Sequence, residues 1–414
     1  MQTFREGLSS SRRAAAPAVF ALLAIVLAAA PLLATSSLAI SVLSQIGYSI
    51  IICLSFNMLF GQGGMLSFGH AVYSGLGAFA AVHCVRLAAQ GQWPVPLVLV
   101  PVVGGLAGLI VAALLGFICT RRAGTTFAMI TLGVGELVAA IALMFPQVFG
   151  GEGGIGINRV YGAPFLGLTF ASALQVYYLI AVYCMLCGAA MYFFTGTALG
   201  RMLNAVRDNP ARAEFIGYDP RRVRHLAFML SGFFAGVGGA LMAIHLEIVT
   251  GADSLGLPRS GAYLLFTFLG GAGYFFGPVV GAVLMVCSSV LLSHYTQAWL
   301  LYLGLAFVLT VMFAPGGVAA MAVSLMRAVR DGRAWRGRRR YVARALGGVL
   351  MLAGACTLVE MLYHLRLDGG LDPTLRFMRL TLDVGNAFHW AAACALALLG
   401  LGVLAVCHRK TGAA

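Results

Sequence analysis

Apolar runs of roughly 20 residues recur along the chain, broken by short polar stretches, at approximately 14–34, 40–60, 66–85, 94–118, 123–145, 172–195, 226–247, 260–276, 278–295, 297–314, 342–363 and 387–407. A helix rising about 1.5 Å per residue needs about 20 such residues to cross the roughly 30 Å hydrocarbon core of a bilayer. Transmembrane strands would alternate apolar and polar positions over about ten residues, and these runs do not. Lipid offers the backbone no hydrogen bonds, so a spanning segment outside a closed barrel must be helical. The pattern predicts an all-α fold, a polytopic integral membrane helical bundle with about ten core helices and about two extra helices at the C-terminus. Two runs are weak as full crossings. The run at 66–85 contains Ser67, His70 and several glycines, and the run at 260–276 is short. Either suits a re-entrant or broken helix buried in protein.

Composition excludes soluble catalysis. Hydrophobic residues make up 61% of the chain and charged residues 10%, with a mean hydropathy of +0.93, against about 25% charged in a soluble domain. The net charge of +14 would suggest nucleic acid in a soluble protein. Here the bases follow membrane topology instead. With a cytoplasmic N-terminus and every run crossing, the inside loops hold Arg5, Arg12, Arg13, Arg121, Arg122, six arginines between Arg201 and Arg224, eight between Arg327 and Arg344, and Arg409 with Lys410. The outside loops hold only Arg86, Arg159, Arg259, Arg366, Arg376 and Arg379. This is the positive-inside distribution, and it places both termini in the cytoplasm. The first apolar run exceeds the 7–15 residues or so of a signal-peptide core, which favours a retained helix within 1–36. Cys184 and Cys187 form a C-x-x-C inside an apolar run without a second pair, so they read as small hydrophobes and not as a metal site.

Glycines recur at four-residue spacing, at Gly104 and Gly108, Gly232 and Gly236, and Gly273, Gly277 and Gly281. In lipid, helices associate through such small residues because their backbones can approach closely. The first five and next five runs would have opposite orientations, which permits an inverted repeat.

Polar residues inside apolar runs are the first candidates for function, since each is expensive to bury. Asn57, Ser67, His70, Thr126 and Glu136 are candidates for a solute path, with Thr125 and Thr131 behind them. Structural hydrogen bonding is the competing role for each. An outer loop, Gly150-Gly-Glu-Gly-Gly-Ile-Gly156, holds Gly151, Glu152, Gly153 and Gly154, either as a flexible turn or as an external docking or gating element. Without side chains it allows close backbone approach of a ligand or a docked protein. The most patterned polar segment is Gly200-Arg-Met-Leu-Asn-Ala-Val-Arg-Asp-Asn-Pro-Ala-Arg-Ala-Glu-Phe-Ile-Gly-Tyr218. It reads as a short helix from Gly200 to Arg207, a turn at Asp208-Asn209-Pro210, and a second short helix ending at Gly217.

That segment resembles the coupling loop of LivM-type permeases, the branched-chain amino acid importer subunits of the ABC superfamily. Further matching stretches follow in the family's order: Phe56–His70, Thr126–Leu132, Leu226–Ala240 and Leu269–Ala282. The resemblance covers roughly residues 40–320 and implies a permease core at 37–320 in a bacterial inner membrane. It also implies a second, LivH-like permease, two cytoplasmic ATPase subunits that bind ATP and Mg, and a periplasmic solute-binding protein. Gly200, Arg201, Asn204, Arg207, Asp208, Asn209, Glu214 and Gly217 would then be the ATPase-coupling positions. Branched-chain amino acids or a related small organic solute would be the cargo.

The chain itself carries no ATP motif. A phosphate-binding loop needs a lysine in a glycine frame, and the only lysine is Lys410. No H-E-x-x-H or paired nucleophile and base supports an intramembrane enzyme, and no cofactor is expected. The alternative class is an ATP-independent carrier or channel using Glu136 and His70. After Phe313-Ala-Pro-Gly-Gly317 the chain departs from the family with an arginine-rich segment and two apolar runs in 321–414. Anionic lipid headgroups are the natural partner of those arginines.

Overall fold

A computed structural model of the chain describes residues 20–32, 36–93, 95–161, 169–293, 296, 298–314, 316–330, 338–367, 374–377, 380–383 and 385–409. Arg5, Arg12 and Arg13 and the start of the first expected span lie outside this set. Among the described residues, six helices are long and apolar enough to cross a membrane, or seven if one bent pair counts as a single span.

Helix α1 is Phe20–Leu32, and α2 is Ser37–Asn57, continued by a π-turn at Met58–Gln62. Next come α3 at His70–Ala89, α4 at Val100–Cys119, α5 at Thr125–Met144 and α6 at Ala173–Gly196. Two short helices follow, α7 at Ala198–Asp208 and α8 at Pro210–Phe215, then the long α9 at Pro220–Leu246. Helix α10 is Leu257–Gly270 and α11 is Gly277–Val286, extended by a π-helix at Cys287–Leu292. Helices α12 at Trp299–Phe313 and α13 at Gly317–Arg330 are adjacent, and α14 at Arg338–Leu367 and α15 at Ala387–Arg409 complete the chain.

Every run read from the sequence thus has a helix at its place, but not every helix is a full crossing. The 260–276 run fails at Gly271, whose φ of +113° ends α10 after 14 residues, too few for a bilayer. Helices α10 and α11 instead fold back on each other through glycine: a Cβ at Gly281 would strike the Phe266 carbonyl, and one at Gly270 the Gly277 carbonyl. The 66–85 run starts as helix only at His70, because residues 63–69 form a partly buried non-helical connection.

The chain forms two compact units. The first, running up to Cys287 with Thr310–Ala319, is organised around α9, which is buried along most of its length. The four-residue glycine patterns meet there. Gly232 packs on the Gly108 backbone, Gly236 on Gly104 and Gly77, and Gly239 on the Ser74 backbone. Helices α3, α4 and α9 therefore touch backbone to backbone, the contact that drives helix association in lipid. Gly273 has nothing within 4 Å of a would-be Cβ and packs nothing. Helix α1 joins through Tyr177, whose hydroxyl donates to the Leu27 carbonyl at 2.6 Å.

The second unit comprises Ser288–Leu309 and the chain from Ala320 onward. Helices α14 and α15 pair through Gly354 against Ala393 and Ala397, and Gly400 against Gly347 and Met351. A two-stranded ribbon, β3 at Thr374–Phe377 with β4 at Leu380–Asp383, lies between them in sequence and is absent from the helix-only pattern. Glu360 is the one buried carboxylate among the described residues. It accepts from the Thr296 hydroxyl and, at 3.0 Å, from the Tyr302 hydroxyl. Removing an acceptor from buried donors costs about 1–3 kcal/mol. Glu360→Ala is therefore expected to lower the thermal midpoint in detergent well below that of Glu360→Gln, which keeps an acceptor oxygen. Equal midpoints for the two variants would show that the carboxylate holds nothing.

Candidate functional site

Helices α7 and α8 form a capped hairpin between two long helices. Thr197 Oγ1 accepts from the Gly200 amide at 3.2 Å and opens α7. Gly200 is required because a Cβ would meet the Phe194 carbonyl, and Asn204 Nδ2 donates to the Gly200 carbonyl at 3.0 Å. Asn209 Oδ1 accepts from the Arg212 amide at 3.0 Å, and Pro210 sits in the first turn of α8, the position where its missing N–H is harmless. Gly217, at φ +92°, turns the chain out of α8, and Asp219 Oδ1 caps α9 through the Arg221 amide at 2.9 Å. One face of α7 is inserted into the bundle, with Gly200, Leu203 and Val206 buried.

The opposite side carries a feature that motif reading passed over. Phe215 is 92% exposed and Ile216 68% exposed, with Tyr218 beside them. Arg201 and Glu214 are exposed on the same hairpin. A large aromatic ring left uncovered beside Ile216 at the tip of a capped turn is an apolar feature available for contact with another surface. The signal in the sequence was the apolar pair Phe215-Ile216 inside an otherwise polar loop, next to Gly217.

Arg207 behaves differently from its neighbours on the hairpin. Its Nη1 donates to the Gly61 carbonyl, and its Nε and Nη2 donate to Asp208 Oδ1 at 3.1 and 3.0 Å. Gly61 belongs to the π-turn at the end of α2, where the helix gives way to residues 63–69.

Asn57, Ser67 and His70 are all buried at this break. Ser55 Oγ donates to the Ile52 carbonyl at 2.7 Å and lies 2.9 Å from His70 Nε2. Among the described residues, His70 Nδ1, Asn57 Oδ1, Gln62 Oε1 and Ser67 Oγ have no hydrogen-bond partner. The break thus presents unpartnered polar atoms that water or a polar solute can satisfy. Hydroxyls hold it in place: Thr131, one of the second-rank candidates from sequence, and Ser260 and Ser231, which sequence did not single out. Thr131 Oγ1 accepts from the Phe68 amide at 3.2 Å, Ser260 Oγ from the Ala71 amide at 3.0 Å, and Ser231 Oγ donates to the Ser55 carbonyl at 2.7 Å. Sequence reading had no means of assigning faces to these, because serine and threonine recur on every face of these apolar helices.

Residues 38–315 match the protein family described as branched-chain amino acid transport system / permease component. The chain belongs to this family. It is 28% identical over 296 residues to the high-affinity branched-chain amino acid transport system permease protein LivM of Escherichia coli, covering 66% of this chain and 68% of that protein. A probable branched-chain amino acid transport permease protein LivH of Methanocaldococcus jannaschii is 25% identical over 243 residues, 55% of this chain and 72% of the relative. The autoinducer 2 import system permease protein LsrC of Klebsiella pneumoniae is 33% identical over 116 residues, 27% of this chain and 34% of the relative. No solved structure matches. The protein is thus a multi-pass inner-membrane permease component, a part of a larger transport system.

At the other end of the permease's α6 and α9, the glycine-rich loop is held by a short antiparallel pair, β1 at Ile155–Gly156 with β2 at Ile248–Val249. Gly150, Gly151 and Gly154 have φ of +76°, +61° and +70°, a region that favours glycine. A Cβ at Gly154 would also meet the Val249 carbonyl. Gly153 and Glu152 face open space. Arg159 Nε lies 3.6 Å from Glu247 Oε1 and 3.0 Å from the Phe170 carbonyl, which fastens the loop to the end of α9. Of the remaining candidates, Thr126 and Glu136 lie on the exposed side of the permease's α5 with Met129 and Leu137, away from the buried break.

Proposed function

We propose that this permease is one membrane subunit of an ATP-driven importer for branched-chain amino acids or a related small organic solute. The observation that carries the reading is the exposed Phe215-Ile216 tip on a fully capped hairpin. Such a tip suits a groove on a cytoplasmic ATPase subunit, and the family match supplies the transport context. Two ATPase subunits then bind ATP and Mg, since the chain's only lysine is Lys410. Arg201 and Glu214 flank the docking tip. The hairpin end and both termini are cytoplasmic, in accord with the positive-inside charge pattern.

Glu136 supports a second, LivH-like permease. It lies on an exposed face midway along α5 and has no ionic partner among the described residues. A carboxylate facing lipid there would cost about 2.5–3.5 kcal/mol. A partner permease and the watery path between them remove that cost, with Thr126 on the same face. A periplasmic binding protein docks at the opposite end, where Gly151, Glu152, Gly153 and Gly154 are displayed.

Proteoliposomes test this. With both ATPases, the second permease and the binding protein present, labelled leucine should accumulate only when ATP is supplied. Vesicles holding this chain alone should pass none. Leucine flux from the chain alone would instead establish an ATP-independent carrier.

A further inference from the structure

The Arg-Asp-Asn run at 207–209 combines residues with quite different positions. Asn209 caps α8, the helix that presents Phe215. Arg207 points the other way, into the bundle. Its guanidinium has two edges, and both are used. The Nε/Nη2 edge rests on Asp208 Oδ1 at 3.1 and 3.0 Å, which fixes the plane of the group. Nη1 then donates at 2.5 Å to the carbonyl of Gly61, in the last turn of α2. Carbonyls at a helix C-terminus lack partners within the helix and carry its negative end, so a cation there is favoured on both counts.

The surface that receives α7 is shaped for it. Gly64 has φ of +65°, and a Cβ on it would come within 2.7 Å of Arg207 Cγ and 3.3 Å of Cδ. A Cβ on Gly63 would come within 2.7 Å of the Leu59 carbonyl and 3.2 Å of Leu203 Cδ1. Leu203 and Arg207 are four residues apart, on one face of α7, and together they seat on the Gly63-Gly64 pair. Beyond this seat the connection 63–69 continues through the buried Ser67 to His70, where buried polar atoms have no hydrogen-bond partner among the described residues.

We infer that Arg207 is a strut internal to the permease, with Asp208 as its brace, and that it joins the ATPase-facing hairpin to the break between α2 and α3. Force from the ATPase enters at Phe215, passes along α7 and is delivered through the guanidinium to the Gly61 carbonyl. The connection 63–69 is the element that opens or closes the solute path in response. Arg207 is a positioning residue. It touches neither the ATPase nor the solute, and its loss separates ATP hydrolysis from transport. This rests on the importer reading above.

The test uses the full chain copurified with its ATPase subunits and second permease, reconstituted with the binding protein. Three quantities are read: ATPase recovered with the chain, ATP hydrolysed, and labelled leucine imported per ATP. For Arg207→Ala, recovery and hydrolysis should persist while leucine imported per ATP falls by roughly tenfold or more, within the usual range of coupling between sites. Gly64→Ala attacks the same seat from α2's side and should produce the same uncoupling, with no further loss in the double variant. Arg207→Lys keeps a donor that reaches the carbonyl, and it should recover part of the yield. Loss of ATPase recovery in Arg207→Ala would make Arg207 a docking residue and overturn the strut. Wild-type import per ATP in Arg207→Ala would overturn it as well. A wild-type chain that recovers no ATPase would sink the importer reading itself, and the strut with it.

Discussion

On the proposed importer reading, replacing Phe215 and Ile216 together by aspartate is expected to strip the ATPase subunits from the purified complex and end ATP-driven leucine uptake, while the bundle still inserts and folds. Both side chains project from the hairpin and contact little of their own chain, so nothing inside the permease depends on them. Burying a large apolar side chain in a partner's groove is worth about 2 kcal/mol, so losing two weakens association about 1000-fold. The aspartates add a desolvation penalty on top. Copurification and size-exclusion profiles measure the two halves of the result. ATPase recovery at the wild-type level would show that the hairpin tip is not the docking point.

Gly236→Leu is expected to abolish recovery of monodisperse protein altogether. Its Cβ would lie against the Gly104 carbonyl and within 3.1 Å of Gly105 Cα, so what must yield is backbone. Overpacking a core that can adjust its side chains costs about 1–3 kcal/mol, and two helix backbones adjust less readily. The whole stability of a domain is about 5–15 kcal/mol. The control is Gly273→Leu, where no atom lies within 4 Å of the new Cβ, and which should purify normally. A monodisperse Gly236→Leu protein would mean that α4 and α9 are not seated on each other as described.

Those two glycines show what could be read from the chain and what could not. Spacing alone marked both Gly236 and Gly273 as small residues in a repeat. It could not show that Gly236 meets Gly104 across a helix pair while Gly273 lies in a turn, because a pairing partner more than a hundred residues away leaves no local trace. The long helices α2, α4, α5, α6 and α9 were legible because length and hydropathy are local. The 260–276 run was readable as too short to cross, but not the place of its break, since one left-handed glycine, Gly271, ends α10 where hydropathy continues. At the candidate site the hairpin's two helices and its Asp208-Asn209-Pro210 turn were readable from caps and proline. The inward direction of Arg207 was not, because its acceptor is a backbone carbonyl at Gly61, and carbonyls have no signature in a sequence. Ser260 and Ser231 escaped notice because their partners too are backbone groups, the Ala71 amide that donates to Ser260 and the Ser55 carbonyl that accepts from Ser231.

Helix α9 has 27 residues, a rod of roughly 40 Å. It begins at the hairpin and ends at the strand that holds the glycine-rich loop. Close glycine contacts along its flank leave it little room to bend, so any tilt of it carries both ends together. A tilt of about 5° shifts one tip by roughly 3.5 Å relative to the other. On the proposed importer reading, a displacement at the hairpin end of this rod is felt at the glycine-rich loop on the far side of the membrane, because one helix reaches both.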